Sequence, residues 1–473
     1  MNLRSLRTDA FEIFKAGVAG VEPYAAVHRV LCLEKGDLFV RGNPPVTRRL
    51  ADIHRVVVVG LGKAGYPMAR AVEDVLGDRI AEGVAIIKEG HREDVQLKAV
   101  EICEARHPEP DARGVRGANK ISSLLSSLRE DDLVIALISG GGSALFCQPA
   151  AGLELNDIVD LNRVLLASGA AIDEINAVRK HVSAVKGGRC AQLASPATVV
   201  ELTLSDVVGD DPATIASGPF APDPSTFAEA HDILCRYGIW EQVSDAVRQV
   251  IQAGMRGTRS ETPKPGDPVF EKVYRVLCGN NELAKAFAAK EAEKRGYKVD
   301  VLKEPVAGEA RVAARSLCGD AIEKIRGSGE RTCMISGGET TVSLGEHYGK
   351  GGRNQELALA AALEISGQPG LTVLSAGTDG TDGPTDAAGA MVDGKTVSRA
   401  CDAGLNPETA LLEHDAYPFF ASLNDLVITG PTKTNVMDLQ IILGGFGLGR
   451  HESKAFHAAQ IRQAPRTREL WSN

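Results

Sequence analysis

The sequence predicts an α/β protein of more than one domain, and three observations carry that expectation. Short apolar runs that end in glycine, VVVVG at 56–60 and VIALISGGG at 134–142, read as buried strands that deliver turns to one end of a sheet. Stretches of helical periodicity lie between such runs, the alternation that produces a parallel sheet with crossover helices. At 473 residues the chain is also too long for one ordinary domain, so two or three are expected.

Composition narrows the function classes. A hydrophobic content of 44% with 24% charged residues describes a globular chain able to bury a core in either half. A net charge of -9 excludes a general nucleic-acid binder, which needs a dense basic face to displace phosphate counterions. The nine cysteines are scattered, with no C-x-x-C pair, so neither a zinc site nor a disulfide framework is expected. The N-terminal segment has charges throughout and no apolar signal region, and it reads as an amphipathic helix carrying Leu3, Leu6, Phe11 and Phe14. No apolar run reaches the ~18 residues of a membrane span, which gives the expectation of a cytoplasmic protein with no membrane partner.

Taken in order, the four-valine strand at 56–59 enters GLGKAG at 60–65, and a helix follows to residue 76. Gly60, Gly62 and Gly65 match G-x-G-x-x-G in the strand-to-helix setting of a dinucleotide fingerprint. Lys63 inside that turn supplies a full charge among helix N–H groups and suits a terminal phosphate. The next strand, 83–87, is followed by Glu89, an acid at the spacing used for a ribose hydroxyl, so a nicotinamide enzyme is the alternative. HPEPD at 107–111 is a proline-flanked loop whose histidine reads as structural. ISGGGSAL at 138–145 then repeats strand-to-glycine design, and Gly140, Gly141 and Gly142 with Ser139 and Ser143 form a candidate anion nest. A helix is expected over 156–168 and another over 175–193, the latter with Arg179, Lys180, Lys186 and Arg189 as a solvated charged face. Strand 198–204 ends in a long loop with Asp206, Asp210 and Asp211.

Residues 256–268, RGTRSETPKPGDP, are the most linker-like in the chain, placing an N-terminal domain at 1–260 and a C-terminal one at 269–473, opened by a strand at 273–278. In the second half, ISGGET at 335–340 presents Glu339, and GKGGRNQE at 349–356 puts Lys350 and Arg353 at the start of a helix, with Asn354 beside them. Basic groups oppose the dipole there, which hints at an anionic ligand. The strand at 373–374 opens the acidic loop AGTDGTDGPTDAAGA, with Asp379, Asp382 and Asp386 among glycines, able to take a proton or a metal ion or simply to make local turns. GPTKTNVMDL at 430–439 adds a polar loop, and the tail from His451 reads as peripheral.

The ordered set GLGKAG, HPEPD, ISGGGSAL, SDVVGDDP with IASGP, ISGGET, GKGGRNQE, AGTDGTDGPTDAAGA and GPTKTNVMDL resembles the glycerate 2-kinase family, over about residues 7–445. The resemblance implies a Rossmann-like N-terminal domain, a smaller C-terminal α/β domain of the MOFRL type, and an active site in the cleft between them. It implies ATP-dependent conversion of D-glycerate to 2-phosphoglycerate, with ATP and Mg2+ as cofactors and a monomer or homodimer as the working form. The family's active-site lysine, arginine and aspartate fall on Lys63, Arg353 and Asp379. Gly62, the 139–143 nest, Asp206 and Asn354 are the expected substrate and phosphate contacts, and Asp382 and Glu339 the expected metal acids. Lys433 and Met437 depart from the pattern, standing where the family usually has Gly and Asn. Bacterial relatives have also been named hydroxypyruvate reductase, so an NAD(P)H-dependent reductase is the alternative.

Overall fold

The computed structural model describes residues 3–445, which form two compact units. One is residues 23–280; the other combines residues 3–22 with 281–445. The polar tail expected from His451 lies outside the described residues.

The 23–280 unit begins with a small antiparallel sheet, β1 (Leu31–Glu34), β2 (Asp37–Val40) and β3 (Val46–Arg49). Its main sheet contains β4 (Val56–Leu61), β5 (Ile80–Lys88), β6 (Val100–Ala105), β7 (Leu133–Ser139), β8 (Thr198–Leu204) and β9 (Val273–Gly279). All pairings in it are parallel, in the spatial order β6-β5-β4-β7-β8-β9. The central strands β4 and β7 are buried at every position, which explains why they are continuous apolar runs and do not alternate. Val57, Val59, Val134 and Ala136 pack against Ile121 and Leu125 of the helix Ala112–Ser126 in the main core. Chain order reverses between β4 and β7, and open α/β sheets take their ligands in the crevice at such a reversal, beyond the carboxyl ends of the strands.

Two expectations need correction here. The linker-like segment 256–268 does not divide the units, because β9 adds to the first sheet alongside β8 and the division falls at 280/281. Its polar residues are consumed by contacts inside the unit: Thr262 donates to Asp223 at 2.9 Å, and Glu261 meets His181 at 3.1 Å. The helix expected over 175–193 is two, Ile172–His181 and Arg189–Ala194, parted where Gly187 and Gly188 take φ of +57° and +81°. Its charges are not a solvated face, since Lys180 and Lys186 are buried.

The other unit is built on a mixed sheet of β10 (Lys298–Val301), β11 (Val306–Glu309), β12 (Thr332–Thr341), β13 (Leu371–Gly377), β14 (Gly389–Asp393), β15 (Leu426–Val427) and β16 (Asp438–Gly444). The order is β10-β12-β16-β13-β14-β15, with β11 also paired to β12. Antiparallel β16 lies between β12 and β13, so their glycine-rich ends emerge on either side of Asp438, which is in register with Gly338 and Gly377. The N-terminal helix Leu3–Gly20 belongs to this unit: Leu6, Ile13 and Phe14 are fully buried, and Gly17 allows Ala284 and Leu439 within 3.0 Å of where its Cβ would stand. Arg7 bonds Asp393 and Asp425. Asp9 takes Arg295 and Tyr297.

Lys433 and Met437 have φ of +66° and +68°, the left-handed region that Gly and Asn enter most readily. This is the physical reason for the family's residues at those positions, and a lysine there carries strain of ~1 kcal/mol or more. Lys433→Gly is therefore expected to raise the melting temperature of the protein by about 1–3 °C in calorimetry. A lower value would mean that the contacts of the lysine side chain outweigh the strain.

Candidate active site

In the 23–280 unit the two glycine turns meet at the β4/β7 reversal. Lys63 N–H donates to Gly140 O at 2.9 Å, and Ala64 N–H donates to Ser139 Oγ at 3.1 Å. Gly62 has φ of +114°, and a Cβ on it would stand 2.3 Å from Ser139 O. Gly140 faces Asp206 as closely: its Cβ would lie 1.9 Å from Oδ2. Gly141, at φ +79°, leaves room for the Lys63 stem on one side and the His107 ring on the other, at 3.2 and 3.1 Å from a Cβ there. A Cβ on Gly142 would meet Ala216 at 2.8 Å. The structure thus gathers Gly62, Lys63, Ser139, Gly140, Gly141, Gly142, Ser143 and Asp206 at one spot. Burial, reinforced by Lys63, Lys88 and His91, lowers His107 to about 4, so its imidazole is neutral at ordinary pH.

The hydroxyls of the expected nest serve the fold. Ser139 Oγ donates to Leu61 O at 3.3 Å while receiving Ala64 N–H, and Ser143 Oγ pairs with Ser217 Oγ at 2.8 Å. Of the acids after β8, Asp211 makes a local turn with Ala213 and Thr214, and Asp210 takes Asn280. Glu89 is held by both terminal nitrogens of Arg113, at 3.1 and 3.0 Å, which occupies the acid expected on a ribose.

In the other unit Arg353 opens the helix Arg353–Glu364. Its Nε and Nη2 donate to the two Asp438 oxygens at 2.6 and 2.9 Å, and its Nη1 reaches Glu339 at 2.8 Å. Burial works against the charge, but the bonds and field of Asp438, with Glu339 and Asp382, outweigh it and hold the guanidinium above its ordinary range. Asp379 is half-buried, with Oδ1 accepting Thr381 N–H and Oγ1–H at 3.0 and 3.1 Å. Asp379 and Asp438 oxygens lie 3.3 and 3.5 Å from the position of a Cβ on Gly377, so Asp379 and the Arg353–Asp438 pair share one neighbourhood. Asp438 was missed in the sequence reading. Its signal was its place as the acid that ends GPTKTNVMDL and starts an apolar strand.

Asp382 and Asn354 have tasks other than those expected. Asp382 accepts the backbone N–H groups of Asn354 and Gln355 at 3.0 and 2.8 Å, so it is itself the anion that answers the basic helix start. Asn354 is buried, accepting from Ser375 at 2.7 Å and donating to Asp382 at 3.4 Å. Of the two expected metal acids, Asp382 thus caps a helix and Glu339 is paired to Arg353 through Oε1. Among the described residues, the acid–imidazole cluster with metal-like spacing is His54, Asp131 and Asp132, at the amino ends of β4 and β7 and therefore opposite the glycine turns. Asp132 there is engaged by Arg55 and by Arg129 N–H.

Comparison with known proteins agrees with this architecture. The family described as "Domain of unknown function (DUF4147)" matches residues 9–252, and the MOFRL family matches residues 332–438. The chain is 39% identical over 442 residues to the glycerate 2-kinase of Pyrococcus horikoshii, covering 93% of this chain and 97% of that protein. It is 42% identical over 437 residues to a putative hydroxypyruvate reductase of Agrobacterium vitis, covering 92% and 93%. A crystal structure of glycerate kinase from Thermotoga maritima matches with a TM-score of 0.82 at 40% identity, covering 93% of this chain and all of that one (100%). Relatives matched over nearly their whole length are named as glycerate kinases, which places the chain in a class of kinases that carry a MOFRL unit. Within it, this chain belongs to the glycerate 2-kinase family.

Burial raises the Asp382 carboxyl from 3.8 to about 6, over the opposing pull of the Asn354 and Gln355 N–H groups. A folded-state value above the unfolded one gives stabilisation that is complete below the unfolded value and lost as pH rises through the folded one. Asp382→Asn carries no charge at any pH. The unfolding free energy of the native protein is therefore expected to fall relative to that of the variant between pH 4 and 7. A difference that stays flat in denaturant titrations across that range would refute this placement of the ionisation.

Proposed function

We propose that the protein transfers the γ-phosphoryl group of ATP to the 2-hydroxyl of D-glycerate, giving 2-phosphoglycerate. The observation that carries this reading is Lys63, a cation set in a glycine turn at the reversal point of the sheet, where a phosphate chain is ordinarily held. Phosphoryl transfer needs positioning and charge neutralisation more than covalent participation by the protein. In this reading Lys63 and Arg353 neutralise the transferring group. Asp379 receives or orients the hydroxyl proton through the carboxylate oxygen that Thr381 leaves unengaged. Asp438 is a positioning residue, since its two oxygens fix the plane of the Arg353 guanidinium.

Magnesium fits at Asp206, whose carboxylate reaches into a cradle at Gly140 that any Cβ would fill. When bound with the nucleotide, the ion supplies charge neutralisation at the phosphate oxygens. The site restricts hydride chemistry in one respect: the acid available for a nicotinamide ribose is already held by Arg113.

Lys63→Ala and Arg353→Ala are each expected to keep the fold and lose about 10²–10³ in kcat. Arg353→Lys is expected to lose nearly as much, because an ammonium cannot reproduce the forked contact with Asp438. The decisive assay supplies D-glycerate with ATP and magnesium, identifies the product by phosphorus NMR, and in parallel supplies hydroxypyruvate with NADH or NADPH. Consumption of the reduced cofactor without phosphorylation of glycerate would overturn the reading, and near-normal turnover in both alanine variants would remove those residues from it.

A further inference from the structure

Beside the lysine turn, wholly within the 23–280 unit, lies a cavity of about 440 Å³ whose rim includes His107, Gly141 and Ser143. Its walls are mainly apolar, from Ile158, Val159, Leu161, Leu166 and Val182. Its lining carries one acid, Glu109, and three cations, of which Arg163 is already paired with Asp160 at 2.8 Å, leaving Arg179 and Lys186. Arg179 donates through Nε to Asn162 Oδ1 at 2.7 Å and pairs with no carboxylate among the described residues. Among the described residues Lys186, 5% exposed, is bonded only to uncharged oxygens: Ser143 O at 2.5 Å, Ser143 Oγ at 3.3 Å and Phe146 O at 3.2 Å. Burial lowers both, Lys186 to about 8, so at neutral pH each is still largely charged without an anion to balance it.

An apolar chamber with two unbalanced cations at one side selects a ligand with an apolar body and an anionic end. A short hydroxy acid such as glycerate has no apolar body and would leave most of the volume empty, whereas cavities of roughly 300–1,000 Å³ suit ligands of nucleoside size. The cavity of like size in the other unit differs in charge: it is lined by Arg353, already paired, and by the acids Glu339 and Glu356. Gly141 supplies the connection. It lines the cavity, and the Lys63 stem packs over its Cα, so a chain of phosphates leaving the cavity passes directly to the lysine turn.

We propose that this cavity holds the base and ribose of the phosphoryl-donating nucleoside triphosphate, with Arg179 and Lys186 at the start of its phosphate chain and Lys63 at the end. The assignment rests on the kinase reading and specifies where that reaction's donor binds. The network Lys186–Ser143–Ser217–Asn176 then has a purpose, which is to fix the floor over which the phosphates run.

The test uses the full chain with two variants. Val159→Trp fills the cavity from a partly exposed wall position, and Arg179→Met removes the charge while keeping an unbranched stem. Adenosine, which carries no phosphate, is the probe for the cavity; inorganic tripolyphosphate is the probe for the turn. Expected results are competitive inhibition of the native enzyme by adenosine against ATP, and a loss of about tenfold or more in that inhibition in Val159→Trp. Arg179→Met is expected to raise KM for ATP by a similar factor, with KM for glycerate within about twofold in both. Retained tripolyphosphate inhibition in Val159→Trp, and a cooperative thermal unfolding transition in Arg179→Met, show that the variants are folded. Unchanged adenosine inhibition in Val159→Trp, or a loss that falls on KM for glycerate, overturns the assignment while leaving the kinase reading intact. Absence of glycerate phosphorylation by the native protein would instead remove the kinase reading itself.

Discussion

The structure depends on one close approach: the turn after β4 and the turn after β7 are stitched together by Lys63 N–H to Gly140 O and by Ala64 N–H to Ser139 Oγ. Both strands are fully buried, so neither can shift without disturbing the centre of the sheet. Glycine at 62 and 140 is required because Ser139 and Asp206 occupy the space of any larger residue. The residues that looked like phosphate ligands are thus partly the clamp itself. Ser139 and Ser143 give their hydroxyls to the protein and leave Lys63 and Asp206 as the charged groups at the reversal point.

The second unit solves a similar problem with acids. A helix that starts with arginine needs a negative group at its N-terminus, and Asp382 provides one from the next loop. Asp438, at the first position of β16, then takes up the arginine side chain and turns a long flexible cation into a fixed one. Two of the acids in this group therefore make geometry, while Thr381 engages only one oxygen of Asp379.

Much of this was legible in the sequence, and the failures have physical causes. Apolar runs ending in glycine marked β4, β7, β12 and β13, since strands buried on both faces need continuous apolar sequence and their turns need room. The domain boundary was misplaced because segment 256–268 has the composition of a linker, yet Thr262 and Glu261 spend their polarity on Asp223 and His181 inside the unit. Lys186 was misread as surface because a spacing pattern cannot show that a double-glycine turn folds the chain back and buries an ammonium under three oxygens. That Asp382 caps a helix start, with one oxygen to each N–H of residues 354 and 355, was not legible either, because the acid comes from a loop distant in sequence.

The placement of the first helix has a bearing on biosynthesis. Leu6, Ile13 and Phe14 find their cover on elements that begin at residue 281, so this unit is discontinuous in the chain. At ~5–20 residues per second, the ribosome needs on the order of 10–50 s to make the intervening 23–280 unit, and for that interval the greasy side of the nascent helix has no native mate. An emerging polypeptide in that condition is a natural client for chaperones that bind exposed apolar segments, and the enclosed unit has time to fold first.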